Sequence, residues 1–446
     1  MKTIPRFAAT AWLLASAGAA FADPAINGHW DAQLINKGNP IPFRLDISGS
    51  GDTLQGTLYD GFRAYENTTS ATFKDGKLVL NIEHYLTTIT ATVQDGKLVG
   101  DVHSQNRGQS ADYGFVATRH DDKAAAAARA ITAPSISGDW EIPLSTPSSK
   151  GEKAFRFIVD QKGAEVAASI LRVDGDTGAY SGVFKDGQWV LSHFDGSRPG
   201  VIVVTPSPDG TLEIQQRVDR PGSAAENAYA ATPDGRYAPK LIAYRPAVAR
   251  AKGLPEPANH LAHTTSRDPG ERFAFSFPDL DGRVQSQDDP YFKGNVIVAI
   301  VTGTWCPNCH DEAQYLVELD RKYRDQGLRI VALNFEEVEQ QESLQRARAF
   351  VKQYGVKYPY LLAGAPEEMW AKVPQLVNLN TWPATVFVGR DGTVRAVHAG
   401  FASPSTGNFY QKQQQDFTSR IEQLLKEKAS VDKRVSYNAF PQLTGP

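Results

Sequence analysis

Three short stretches near the start of the chain recur, in the same order, about 110 residues further on. "GHW" at Gly28 to Trp30 returns as "GDW" at Gly138 to Trp140. "PFRLDIS" from Pro42 returns as "AFRFIVD" from Ala154, and "TFKDGKLVL" from Thr72 returns as "VFKDGQWVL" from Val183. Three anchors at nearly one offset imply two copies of one domain, over 25–120 and 136–246. Whatever the chain folds into must accommodate the same unit twice.

Each copy reads as all β. Short alternating runs such as "LQGTLYD", "KLVLNIEHY" and "TITATVQ" are separated by Asp-Gly pairs at 75–76, 95–96, 186–187, 209–210 and 234–235. Asp-Gly between alternating runs predicts a tight hairpin turn, because both central residues must take positive φ. Hairpin follows hairpin with no helix between, so antiparallel meanders closing into small barrels or sandwiches are expected. The Ala-rich segment 121–135 divides the copies as a linker with room for a short helix. The Pro- and Ala-rich segment 247–270 is expected to be an extended linker.

From 271 to 428 the pattern changes to α/β. "NVIVAIVTG" is a near-continuous apolar run, as in a buried central strand. The stretch after it carries apolar residues at Ala313, Leu316, Val317 and Leu319, a helical spacing ended by Gly327. "LRIVALNF" predicts a second buried strand and "EQQESLQRARAFVKQYG" a second helix. "WPATVFVGRDGTVRAVHAG" predicts a hairpin and "DFTSRIEQLLKEK" a closing helix. Residues 429–446 are left as a tail.

The first 22 residues predict a cleaved signal peptide: Lys2 and Arg6, then "FAATAWLLASAGAA", then the small-x-small site Ala20-Phe21-Ala22. Nowhere else is there a run of about 18 apolar residues, so no transmembrane segment is expected in the mature chain. A periplasmic or secreted protein follows. The pI of about 6.3 and net charge of -3 give no reason to expect a nucleic-acid partner.

Export usually allows structural disulfides. Yet the 446 residues hold two cysteines, Cys306 and Cys309, both in "WCPNCH". That pair closes almost no loop, so it gains little from loop closure. The letters alone leave two chemistries open: a dithiol, or the C-x-x-C-H attachment site of a c-type haem with His310 as axial ligand. The pattern around them favours the dithiol. Cys306 falls between a buried strand and a helix start, where free N–H groups and the helix dipole favour a thiolate. Cys309 lies one turn on, more buried, placed to resolve a mixed disulfide. Haem would consume both sulfurs, and a second axial ligand of the usual kind would have to be Met369, the mature chain's only methionine.

The order strand, W-C-x-x-C, helix, strand, helix, x-Pro strand, hairpin, helix resembles a thioredoxin fold. "FSFPDLDG", "GTWCPNCHDE" and "WPATVFVGRDG" resemble the exported TlpA/ResA-like thiol–disulfide oxidoreductases more closely, over about 271–428. The resemblance implies that Pro383 is a cis-proline facing the cysteines. It implies that Trp382 presents its backbone to a substrate segment and that Trp305 shields Cys306. It assigns Glu312 to the proton of Cys309. It also implies disulfide reduction rather than oxidation, a disulfide-bearing protein substrate and an upstream electron donor, with no cofactor and no metal. One departure stands out: thioredoxin carries a buried aspartate six residues before its first cysteine, and here that place is Ile300. A peroxiredoxin-like site fits less well, with Gly303 where Thr or Ser is wanted and Ala299 where proline is. A separate possibility is that the β copies bind a protein or cell-envelope component and the redox domain is secondary. His310 is expected to be exposed, tuning the local field as a cation. "VDGDTG" (173–178) is expected to be a turn rather than a calcium loop.

Overall fold

The computed structural model describes residues 26–106, 109–217 and 240–427. The expected signal peptide at 1–22, the expected Asp234-Gly235 turn and the 429–446 tail lie outside the described residues.

Alternation writes the first sheet directly. In Lys77–Ile82, Leu78, Leu80 and Ile82 all point inward and are fully buried. Trp30, Leu45, Leu58, Ile89 and Phe115 from other strands meet them in one core. Nine antiparallel strands between Gly28 and Arg119 form a curled sheet, and its last strand, Gln109–Arg119, returns to pair with its first, Gly28–Asn36. Its open edges are Arg63–Asn67 and Ser70–Lys74.

The second sheet is also antiparallel, but it runs in chain order from Gly138–Pro143 at one end to Leu241–Ala243 at the other, whereas the first sheet has its first strand in the middle. Trp140, Phe157, Trp189 and Ile202 are among the residues that fill it. Glu141 and Tyr244 exchange both backbone hydrogen bonds at 2.8 Å, bringing the chain after the last strand back onto the first. Both sheets carry the same lock. Trp30 Nε1 donates to the Ile26 carbonyl at 2.8 Å, and the Arg119 guanidinium lies 4.1 Å from its ring centroid. Trp140 Nε1 donates to the Ile136 carbonyl at 2.8 Å, with Arg245 at 3.8 Å.

Three of the Asp-Gly pairs make the expected turn, with positive φ at both residues: 75–76, 95–96 and 186–187. At 209–210 only Gly210 is positive. There the Asp209 carboxylate accepts from both the backbone N–H and the hydroxyl of Thr211, which holds a longer loop.

Residues 247–270 are not an extended linker. They hold most of a helix, Pro246–Ala251, then a turn of helix at His260–His263 and a strand, Thr265–Ser266, paired with Leu376–Val377. Pro246 sits in the first turn, where its missing N–H costs nothing, and Asn259 caps the second helix. Pro246 therefore marks one helix start here and Asn259 the other. Between the sheets, 121–135 holds the helix Asp122–Arg129, capped by Asp121.

The last part is thioredoxin-like. Its sheet runs in the order Tyr360–Gly364, Leu328–Phe335, Val296–Thr302, Ala384–Val388, Val394–Ala399. The first three strands are parallel and the last two form an antiparallel hairpin. Every residue of Val296–Thr302 is buried, which explains the unbroken apolar run. Helices Pro307–Tyr323, Gln345–Tyr354 and Asn408–Leu425 pack on this sheet. The expected second helix is split: Val338–Gln341 is separate, and Leu344 takes a left-handed conformation before Gln345. The closing helix starts earlier than expected, at Asn408. Among the described residues, no helix is long and apolar enough to cross a membrane.

Candidate functional site

The buried strand Val296–Thr302 delivers the chain to Gly303 and Thr304, and Cys306 caps helix Pro307–Tyr323 with extended φ and ψ. Pro307 occupies the first helical position, where it fits best. Tight bonds shape the loop: Cys306 N–H to the Gly303 carbonyl at 3.1 Å, and Cys309 N–H to the Cys306 carbonyl at 3.0 Å. Both cysteines are free thiols. Cys306 is 5% exposed and Cys309 1%.

Trp305 and Trp382 wall this pair. Their rings meet edge-on at 5.1 Å, and Trp305 Nε1 donates to the Phe335 carbonyl at 3.0 Å. The Trp382–Pro383 peptide is cis, and the Cys306 thiol donates to the Trp382 carbonyl at 3.4 Å. Trp305, Cys306, Cys309 and Trp382 thus form one cluster. Burial, reinforced by the neighbouring Cys306 sulfur, pushes the Cys309 thiol well above its ordinary value. A group in that condition keeps its proton until a partner draws it off.

Glu312 stands apart on the same helix and is 1% exposed. The Thr385 hydroxyl donates to its Oε1, while Oε2 has no hydrogen-bond partner among the described residues. Burial raises its pKa to about 8 against the opposing effect of Thr385. Thr385 is the strand partner of Ile300. A buried carboxyl thus lies against the strand that pairs with position 300, although position 300 itself is isoleucine.

His310 differs from expectation. It is buried: Nε2 lies 2.7 Å from the Thr304 carbonyl and Nδ1 2.8 Å from the Tyr354 hydroxyl. Burial, and then the neighbouring His84, hold its pKa well below the usual histidine value. A cationic tuner is excluded by those surroundings. Phe350 and Tyr354 cover it from helix Gln345–Tyr354, and His84 and Tyr85 from the first β part, over 200 residues away, which no helix-face argument could foresee.

Asn308, between the cysteines, was assigned nothing by sequence reasoning. Its Nδ2 donates to the Asp174 carbonyl at 2.9 Å, and Arg198 donates to its Oδ1 at 3.3 Å. "VDGDTG" is a turn as expected, but this turn lies on the C-x-x-C loop. Gly175 there has φ +115°, and a side chain at that position would collide with Asn308 Nδ2 and the Phe401 carbonyl. Nearby, Asp60 of the first sheet accepts from the Ala179 N–H of the second at 2.6 Å and from the Ser405 hydroxyl of the third part. All three parts meet at that carboxylate.

Comparison with known proteins bears on this last part. The Redoxin family model matches residues 268–411. A thiol-disulfide oxidoreductase ResA of Bacillus cereus is 30% identical over 120 residues, covering 27% of this chain and 62% of that protein. ResA of Halalkalibacterium halodurans is 27% identical over 144 residues, covering 32% and 75%.

Residues 268–411 form a ResA/TlpA-like segment of the thioredoxin superfamily.

The chain thus spans about 62% of the length of the first ResA relatives. Solved structures similar to the ResA-like segment include a thiol:disulfide interchange protein of Chlorobium tepidum TLS, with TM-score 0.29, 22% identity, and 36% of this chain and 99% of that chain covered. A DsbF homologue of Corynebacterium diphtheriae has TM-score 0.29 and 23% identity, with 36% and 92% covered.

Proposed function

We propose that the chain is an exported thiol–disulfide oxidoreductase that reduces disulfides of protein partners. The observation that carries this reading is the Cys306/Cys309 pair at a helix start, walled by Trp305 and Trp382, with Cys306 against the Trp382 carbonyl. Cys306, as thiolate, attacks one sulfur of a partner disulfide; the partner's other sulfur leaves as a thiolate. Cys309 gives up its proton and attacks Cys306, releasing the second partner thiol. Two electrons have then passed to the partner, and Cys306–Cys309 is a disulfide. An upstream dithiol donor must restore it. In this reading Glu312, one turn beyond Cys309 and carrying a raised pKa, handles the Cys309 proton. Trp382 and Pro383 would bind the substrate segment through the backbone.

Periplasmic or secreted location is part of the proposal and rests on the composition of residues 1–22. So is the duplication of the β domain, which is supported by the matching Trp30–Arg119 and Trp140–Arg245 locks and by the antiparallel pairing of each sheet's first strand with its second.

The test is turnover of a disulfide-bonded protein with a dithiol donor. Cys306→Ser should abolish it, and Cys309→Ser should trap the mixed disulfide on Cys306. A reduction potential of about -270 mV for the couple supports the reductive direction, and one of about -120 mV would reverse it. A second reading has a specific observation behind it, since the second sheet grips Asn308 between the two cysteines. In that reading the β sheets are the docking platform for a protein or cell-envelope component. Equal rates on a protein disulfide and on a small-molecule disulfide would remove it.

A further inference from the structure

Glu66, His84 and His310 converge where the first antiparallel sheet packs on the helix that carries the cysteines. All three are buried, and one ligand atom from each lies within 4.8 Å of the other two. Glu66 Oε2 is 3.4 Å from His84 Nε2 and 3.0 Å from the Tyr354 hydroxyl, which is 2.8 Å from His310 Nδ1. Four donors at ~2.0–2.1 Å around a tetrahedral zinc ion stand ~3.3 Å from one another. The Glu66–His84 separation of 3.4 Å matches that value, and all three ligand atoms lie within 4.8 Å of one another, close enough to close around one ion.

The hydrogen-bond inventory points the same way. A carbonyl can only accept, so His310 Nε2 carries the proton donated to Thr304. Nδ1 is then a lone pair aimed into the cluster. Metal-bound histidines have this arrangement, with the second nitrogen tied to a carbonyl. Glu66 Oε1 is held from outside by Gln353 Nε2 at 3.1 Å, which leaves Oε2 facing inward. Tyr354 has one proton for two acceptors, Glu66 Oε2 and His310 Nδ1. His84 is fully buried, and neither of its ring nitrogens makes a hydrogen bond among the described residues, despite the 3.4 Å approach to Glu66. A buried polar ring without a partner is costly. The cluster therefore has more lone pairs than protons, and a cation supplies what is missing.

We propose that Glu66, His84 and His310 bind one divalent transition-metal ion, with Tyr354 as the fourth neighbour, and that two imidazoles and a carboxylate suit Zn2+. These residues lie at 66, 84 and 310 and form no spaced motif, so the sequence alone gives no reason to expect the ion. The ion ties the first sheet to the helix at the residue directly after Cys309, without using either thiol.

The test uses the full chain carrying Cys306→Ser and Cys309→Ser, so that no thiol competes. After treatment with a chelator, titration with ZnCl2 should show one equivalent bound tighter than about 1 μM. His84→Phe, which keeps the ring's bulk, should weaken binding by at least about a hundredfold. Co2+ should give tetrahedral ligand-field absorption that Glu66→Gln removes. Should His84→Phe fail to fold, the imidazole nitrogen resonances of His84 and His310 in the unmutated background decide, because Zn2+ must shift both. No bound equivalent, binding that His84→Phe leaves unchanged, or unshifted imidazoles would each overturn the assignment.

Discussion

The two antiparallel sheets are built alike and used differently. Each opens on a tryptophan whose indole bonds four residues back and whose ring carries an arginine from the closing end of the sheet. At the thioredoxin-like part they diverge. The first sheet offers Glu66, His84 and Tyr85 to His310 and Tyr354. The second offers the Asp174 carbonyl and Arg198 to Asn308. A lock inside a core tolerates little change, because any change leaves a cavity or an unpaired N–H. The contacts that distinguish the sheets come from elsewhere: an edge strand and a 3-10 turn in the first, and loops between strands in the second.

The largest expected effect tests the likeness. Trp30→Ala and Trp140→Ala should each cost about 3–5 kcal/mol, read from denaturant midpoints. A loss confined to one variant would break the equivalence of the two locks.

The next test belongs to the second sheet alone. Glu152 is buried beside the turn that meets Asn308, accepting from the Val173 N–H at 2.7 Å, and burial raises its pKa to about 7. The folded state therefore holds more protons than the unfolded state between pH about 4.5 and about 7. Stability should fall as pH rises through that window and stay low above it. Glu152→Gln should remove that dependence and stabilise the protein at pH 8 by on the order of 2 kcal/mol, measured by unfolding at both ends of the window. An unchanged pH profile would mean that the carboxyl is not the group responsible.

Asn308→Ala probes the loop contacts of the second sheet. It removes the bonds to Asp174 and Arg198, and should cost about 1–2 kcal/mol while speeding alkylation of Cys306 severalfold. An unchanged alkylation rate would show that the second sheet does not restrict access to the thiol.

The smallest effect returns to the lock. Arg119→Gln and Arg245→Gln should each lower stability by about 0.5–1 kcal/mol through loss of the cation–π contact, again by denaturant midpoint. Unequal losses would rank the two locks.

Much of the fold was legible in the sequence because its causes are local. Alternation and Asp-Gly pairs wrote the hairpins, since φ at a turn depends on the residues in it. The unbroken run Val296–Thr302 announced a strand buried on both faces. Cys306 and Cys309 were legible because a loop and one helical turn set their geometry. Glu312 was legible as a candidate by its spacing, but its burial against Thr385 depends on a strand 73 residues away. His310 was misread because local spacing cannot show which surface later covers a helix start.

By itself, the sequence determined most of the hairpins, the buried central strand and the position of the dithiol, because backbone dihedrals and periodic burial act over a few residues. Only the tertiary structure decided the surroundings of that dithiol. It set the turn of the second sheet on Asn308 and moved His310 from solvent into a cluster with Glu66 and His84. Those contacts join residues more than 130 positions apart. Burial then changes what each group can do, because a lone pair or a carboxyl withdrawn from water must find a partner in the protein or hold its proton.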